Sequence, residues 1–90
     1  MKTSKTLYGA ARYIRMHGWV KGVSNNSLGA ACMAEAVYRV NRDGYDLAIS
    51  FLDNVLGVWP TTFNDLNCKS ADDAIAALEI AADIAHAEGR

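Results

Sequence analysis

Ninety residues, 51% of them hydrophobic and with a net charge of −1, make one compact domain, too short for a large core and too apolar for a disordered chain. No apolar run nears the ~20 residues that span a bilayer, and the opening "MKTSKTLYGAARYIRMHGW" has no continuous apolar stretch of the kind a signal peptide needs. Two cysteines, Cys32 and Cys68, make no disulfide framework, so the expectation is a cytoplasmic protein with reduced thiols and no membrane association.

The first predicted helix carries Leu7, Ala10, Ala11 and Ile14 at the spacing of one helix face. Lys5, Tyr8, Arg12 and Arg15 fall on the opposite side, and Gly18 is its stop. "WVKGVSNNSLG" then reads as a loop, rich in Gly, Asn and Ser. A second helix is expected from Ser27 as N-cap, with Ala30, Met33, Ala34, Val37 and Tyr38 inward and Glu35 four residues before Arg39 on the outer side. "NRDG" breaks it. The third, Tyr45 to Leu56, turns Tyr45, Ala48, Ile49, Leu52, Val55 and Leu56 inward and Asp46, Ser50, Asp53 and Asn54 outward.

Gly57 and Pro60 are expected to end that helix. Residues 59–69 then form a long ordered loop, anchored by Trp59 and Phe63, with Thr61, Thr62, Asn64, Asp65 and Asn67 as turn formers. In "SADD", Ser70 is the predicted N-cap of the last helix and Asp73 the acid of a capping box. Ala71, Ala74, Ile75, Leu78, Ala81, Ala82 and Ala85 make its inner face, while Ile80 and Ile84 lie on a second ridge. No strand alternation appears outside these segments. The expectation for residues 1–90 is a single all-α, compact four-helix domain with one long ordered loop before the last helix.

The charges are segregated. Residues 1–42 hold seven bases and one acid, a net of +6; residues 43–90 hold nine acids and two bases, a net of −7. Either the two halves pair their rims on folding, or a basic face meets an acidic partner or nucleic acid.

Candidate chemistry is thin. Cys32, Cys68, His17 and His86 could ligate a metal, yet none stands at a metal-ligand spacing, and no metal or cofactor is expected. A cysteine nucleophile needs a base and an orienting group, and no local pattern around Cys32 supplies them. Asn64-Asp65 reads more readily as a turn than as a catalytic pair. "GWVKGVSNNSLG" matches neither phosphate-binding fingerprint. Lys5, Arg12 and Arg15 form a basic stripe, but the isoelectric point near 6.0 and the absence of a recognition helix argue against DNA. Ile80 and Ile84 are either buried under the 59–69 loop or in contact with another chain.

Three stretches together, "GWVKG", "ACMAEA" and "W…FND…KSADDAIAALEIAADIA", resemble a family of small uncharacterised proteins of actinobacteria and their bacteriophages, over nearly the whole chain. The resemblance implies that Gly18-Trp19, Gly22, Cys32, Asn64-Asp65 and Ser70 belong to the family pattern; Phe63 stands where a tryptophan is common. It supplies a setting and no mechanism. The reading is therefore of a non-enzymatic cytoplasmic protein that binds a protein partner, a host protein or a second copy of itself along the last helix. Ile80, Ile84, Lys5, Arg12 and Arg15 are the candidate contact residues. A nucleic-acid accessory role through the first helix is the alternative, and an enzyme using Cys32 or Asp65 in a pocket comes third.

Overall fold

The structure is a computed structural model that describes residues 1–90. Five helices follow one another: α1 (Thr3–His17), α2 (Met33–Val40), α3 (Tyr45–Leu56), α4 (Pro60–Leu66) and α5 (Ala71–Ala87). The all-α class stands, with one helix more than the sequence suggests. No helix is long and apolar enough to cross a membrane.

α1 and α5 form the main pair, α2 and α3 pack against it and each other, and α4 packs on α2 and α3. The predicted inner faces hold here. Leu7, Ala10, Ala11 and Ile14 of α1 are buried, as are Ala74, Ile75, Leu78, Ala81, Ala82 and Ala85 of α5. Ten of the twenty residues in the hydrophobic core are alanines. Such small side chains let helix axes come close, so much of the stabilisation is close-range dispersion between backbones rather than burial of large side chains. Gly9 shows the same economy: a Cβ there would lie 2.8 Å from Val40 Cγ1, so α1 and α2 touch only because position 9 has no side chain.

The ends of the helices follow from local chemistry. Gly18, at φ +97°, closes α1 with its N–H donating to the Ile14 carbonyl, and Gly57, at φ +75°, closes α3 in the left-handed cap that glycine adopts without penalty. Two buried hydroxyls in α1 are fully used. Ser4 Oγ and its backbone N–H both donate to the Arg90 carbonyl at 3.1 Å, and Thr6 Oγ1 accepts from Asn41 Nδ2 at 3.0 Å.

Three expectations need correction. The second helix starts at Met33, not near Ser27. Asn26 Oδ1 instead accepts the N–H groups of Leu28 and Ala30, folding 26–30 into a turn, and Cys32 in extended geometry becomes the N-cap, its Sγ accepting the Glu35 N–H at 3.4 Å. Tyr38, assigned inward, is exposed, because the buried face of α2 runs through Met33, Ala36 and Val37.

The long loop is largely helix. Pro60 opens α4 at its first position, where a missing N–H costs nothing, instead of merely ending α3. Pro60 itself is buried and Phe63 packs against the core, but Trp59 is 52% exposed and anchors nothing. Finally, Ser70 makes no side-chain cap bond. Nor does Asp73 bond the Ser70 N–H as a capping box requires; it accepts the Lys69 N–H, one residue earlier, at 2.8 Å.

Candidate functional site

The segment between α1 and α2 has little regular structure of its own. Isolated bridges join Ala31 to Trp19 and Asn25, and the Cys32 N–H donates to the Ser24 carbonyl at 2.8 Å. Tyr13 of α1 ties it at one point, its hydroxyl donating to the Gly29 carbonyl at 2.9 Å, and the main anchor is Asn64 of α4, which is 0% exposed. Its Oδ1 accepts from Trp19 Nε1 at 2.7 Å and from the Met33 N–H at 3.1 Å. Its Nδ2 donates to the Val20 carbonyl and to Asp65 Oδ1, both at 3.1 Å. A primary amide has two acceptor lone pairs and two N–H donors, and here all four are used. The amide orientation is determined by these partners, because a flipped group would turn its NH2 toward the Trp19 and Met33 donors. The bond from Met33 also satisfies one of the free N–H groups at the start of α2.

Asp65 completes the staple by accepting the Gly22 N–H at 2.8 Å. That backbone bond, helped by Asn64, holds its carboxyl below the usual carboxylate range. Gly22 sits at φ +81°, where a side chain would be strained, and this turns its N–H toward α4. The Asn-Asp pair is thus not a turn. It lies inside a helix and ties α4 to the 19–33 segment.

A cleft of about 520 Å³ opens beside this staple. Its walls are the 22–24 segment, Cys32, Ala34, Glu35 and Tyr38 from the start of α2, Tyr45 at the start of α3, and Thr61 and Asp65 of α4. Cys32 and Asp65, named separately from the sequence, meet here; no histidine stands on the wall. Burial pushes the Cys32 thiol up, away from the thiolate, and its Sγ is occupied as an N-cap acceptor. Burial likewise raises Tyr45, with Cys32, Asp46 and Glu35 adding negative field. No group of three or more metal-ligating side chains occurs in the structure.

The other candidates lie on the α1–α5 side. Lys5, Arg12 and Arg15 are exposed along one depression with Tyr8 and Glu79. Arg15 pairs with Glu79 at 3.3 Å, and the Tyr8 hydroxyl donates to Asp83, so α5 brings acid to the edge of the basic stripe. The segregated charges of the two halves do meet at this rim. Lys5 and Arg12 form no salt bridge. Ile80 and Ile84 are not covered by the segment that precedes them: they are 58% and 39% exposed, and α4 packs on α2 and α3.

Sequence reasoning missed Trp19, Asn64, Glu35 and the two tyrosines as a group. One signal was available, since Glu35 and Tyr38 stand three apart on one face of α2.

Fold and site together define a small all-helical protein whose one irregular segment is stapled to a short helix beside an acidic, tyrosine-lined cleft. Residues 1–84 match the model of the Family of unknown function (DUF6197), and the chain belongs to that family. Neither a curated protein nor a solved structure matches it.

Proposed function

We propose that this chain is a non-enzymatic cytoplasmic protein that acts by binding another protein, with the outer face of α5 as a contact surface. One observation carries the reading: Ile80 and Ile84 point outward from α5, and no element of the fold lies over them. Two β-branched side chains in water on one helix face forgo hydrophobic stabilisation that a partner would recover. Exposed Ala76 and Ala87 beside them allow another helix to approach closely. The acids nearest this ridge, Glu79 and Asp83, are already engaged by Arg15 and Tyr8, which lowers the repulsion between two copies. The resemblance noted in "GWVKG" and the α5 sequence supports an actinobacterial or phage setting, in which the partner is a host protein or a second copy of the chain.

The chemistry of the cleft supports the non-enzymatic reading. The Cys32 thiol is held protonated, and Asp65 is committed to the Gly22 N–H. The nucleic-acid alternative loses weight because Arg15 is spent on Glu79 and the acids of α5 border the stripe.

Sedimentation equilibrium and lysate capture with wild type and Ile80→Lys/Ile84→Lys test the reading. A folded double variant that loses self-association or a specific captured protein supports it. An unfolded double variant would return these residues to the core, and unchanged association and capture would place the contact elsewhere.

A further inference from the structure

We infer that the cleft between α2, α3 and α4 is a receptor for a guanidinium group, presented as an arginine side chain by a partner polypeptide. The cleft chemistry stands by itself, and only the source of the guanidinium rests on the protein-binding reading above.

Two carboxylates face the cleft with spare capacity. Glu35 Oε2 accepts from Arg39 Nε at 2.8 Å, and Asp65 Oδ1 accepts from Gly22 and Asn64. Glu35 Oε1 and Asp65 Oδ2 accept no hydrogen bond from the protein. Each carboxylate is therefore held in place through one oxygen and offers the other. Beside them Tyr38 and Tyr45 pack edge to face, with centroids 5.7 Å apart and planes at 76°. Tyr45 packs on the core, but Tyr38 is 42% exposed on the cleft wall, which leaves its ring accessible to a cation, whose attraction to the ring quadrupole acts within about 6 Å.

The field in the cleft is negative. Glu35 and Asp65 both act to raise Cys32, and Glu35 acts on Tyr45 as well. Two cations flank it from outside, and they leave one oxygen of each carboxylate unbonded. Arg39 is bonded to Glu35 and to the Tyr13 hydroxyl at 2.7 Å, and Lys21 is exposed and outside the cleft wall.

Half of the ten lining residues are hydrophobic, which selects among cations. A guanidinium is planar, weakly hydrated and able to stack on a ring while its N–H groups reach two separate acceptors. An ammonium is compact and strongly hydrated, and loses more on entering such a wall. The width of a cleft of about 520 Å³ suits a side chain with its flanking backbone better than a free ion.

The test is a titration of the whole protein followed by amide chemical shifts, with N-acetyl-arginine methylamide, the lysine and norleucine analogues, and a seven-residue peptide carrying one central arginine. Saturable shifts of Gly22, Glu35, Tyr38, Tyr45 and Asp65 are expected with the arginine probes, weaker with lysine and absent with norleucine. Glu35→Gln should weaken arginine binding by roughly tenfold, the loss of one charge-assisted bond. Tyr38→Leu, an exposed position, should weaken it while leaving the fold intact.

Equal shifts with norleucine, no saturation with any arginine probe, or full affinity in both variants would overturn the receptor. Equal affinity for the free amino-acid derivative and the peptide would leave guanidinium recognition standing and remove the polypeptide partner as its source. Loss of α5-mediated capture with arginine binding retained would fault only the function proposed above.

Discussion

The α1–α5 pair and the α4-stapled segment hold themselves together by opposite means. The pair is sealed by Leu7, Ile14, Ile75, Leu78 and a run of alanines, and the buried hydroxyls of Ser4 and Thr6 near the start of α1 are both hydrogen-bonded. Such packing is non-directional and spreads over many contacts, so a change at one site is felt by the whole pair. The 19–33 segment buries few large side chains and depends on three hydrogen bonds that converge on Asn64, with Asp65 and Tyr13 adding one each. Those bonds are directional, and each buried partner left unmade costs its full desolvation. One region is thus robust in pattern and sensitive in volume, while the other is sensitive to a single functional group.

The largest change should come from the first region. Leu78→Ala, at a fully buried position, is expected to cost about 4 kcal/mol in chemical denaturation and to lower amide-exchange protection throughout the protein. Asn64→Ala should cost about 3 kcal/mol, because the Trp19 indole N–H, the Met33 N–H and the Val20 carbonyl lose their partner together. Its signature differs, with exchange rising first in 19–33 while α1 and α5 stay protected. Equal loss of protection everywhere would abolish the distinction between the regions.

Trp19→Phe keeps the aromatic packing and removes only the indole donor, so about 1 kcal/mol is expected. Asp65 gives a smaller, pH-dependent effect. Its folded value is lowered, so its contribution is present above the unfolded value near about 4 and fades as pH falls through the folded value. Wild type should therefore lose stability relative to Asp65→Asn on acidification below about pH 4; parallel curves would show that the Gly22 bond does not discriminate the charge. Ser70→Ala should stay within about 0.3 kcal/mol of wild type, since no side-chain cap is lost.

The faces of α1 and α5 were legible because a long helix packed on one side writes its period into the sequence; that of α3 was legible only in part, since Phe51 is buried with Ala48, Ile49 and Leu52 while Tyr45, Val55 and Leu56 are half-buried. α4 was not. Seven residues with two threonines, an asparagine and an aspartate have weak helical preference, and what holds them is tertiary: the buried Pro60, Phe63 against the core, and the bonds of Asn64. The same cause hid the site. Asn64 and Asp65 look like turn residues until their partners, 31 to 45 positions away, are in place. Trp59 and Trp19 exchanged their expected importance for a related reason, since only Trp19 finds a buried acceptor for its indole. Cys32 and Asp65 were both noticed, yet nothing in their spacing indicated that they share a wall with Tyr38 and Tyr45.

The pairing of the first helix with the last has a consequence for synthesis. Arg15 meets Glu79 across 64 positions, and Tyr8 meets Asp83 across 75. As the chain grows, α2 can cover part of α1 early, but the stripe of α1 that packs on α5 has no partner until α5 forms. A helical protein usually gains speed from local contacts, but here the decisive ones close almost the full length of the chain. The part of α1 that α5 covers therefore stays open while α2, α3 and α4 are made, and it closes only through contacts that span most of these ninety residues.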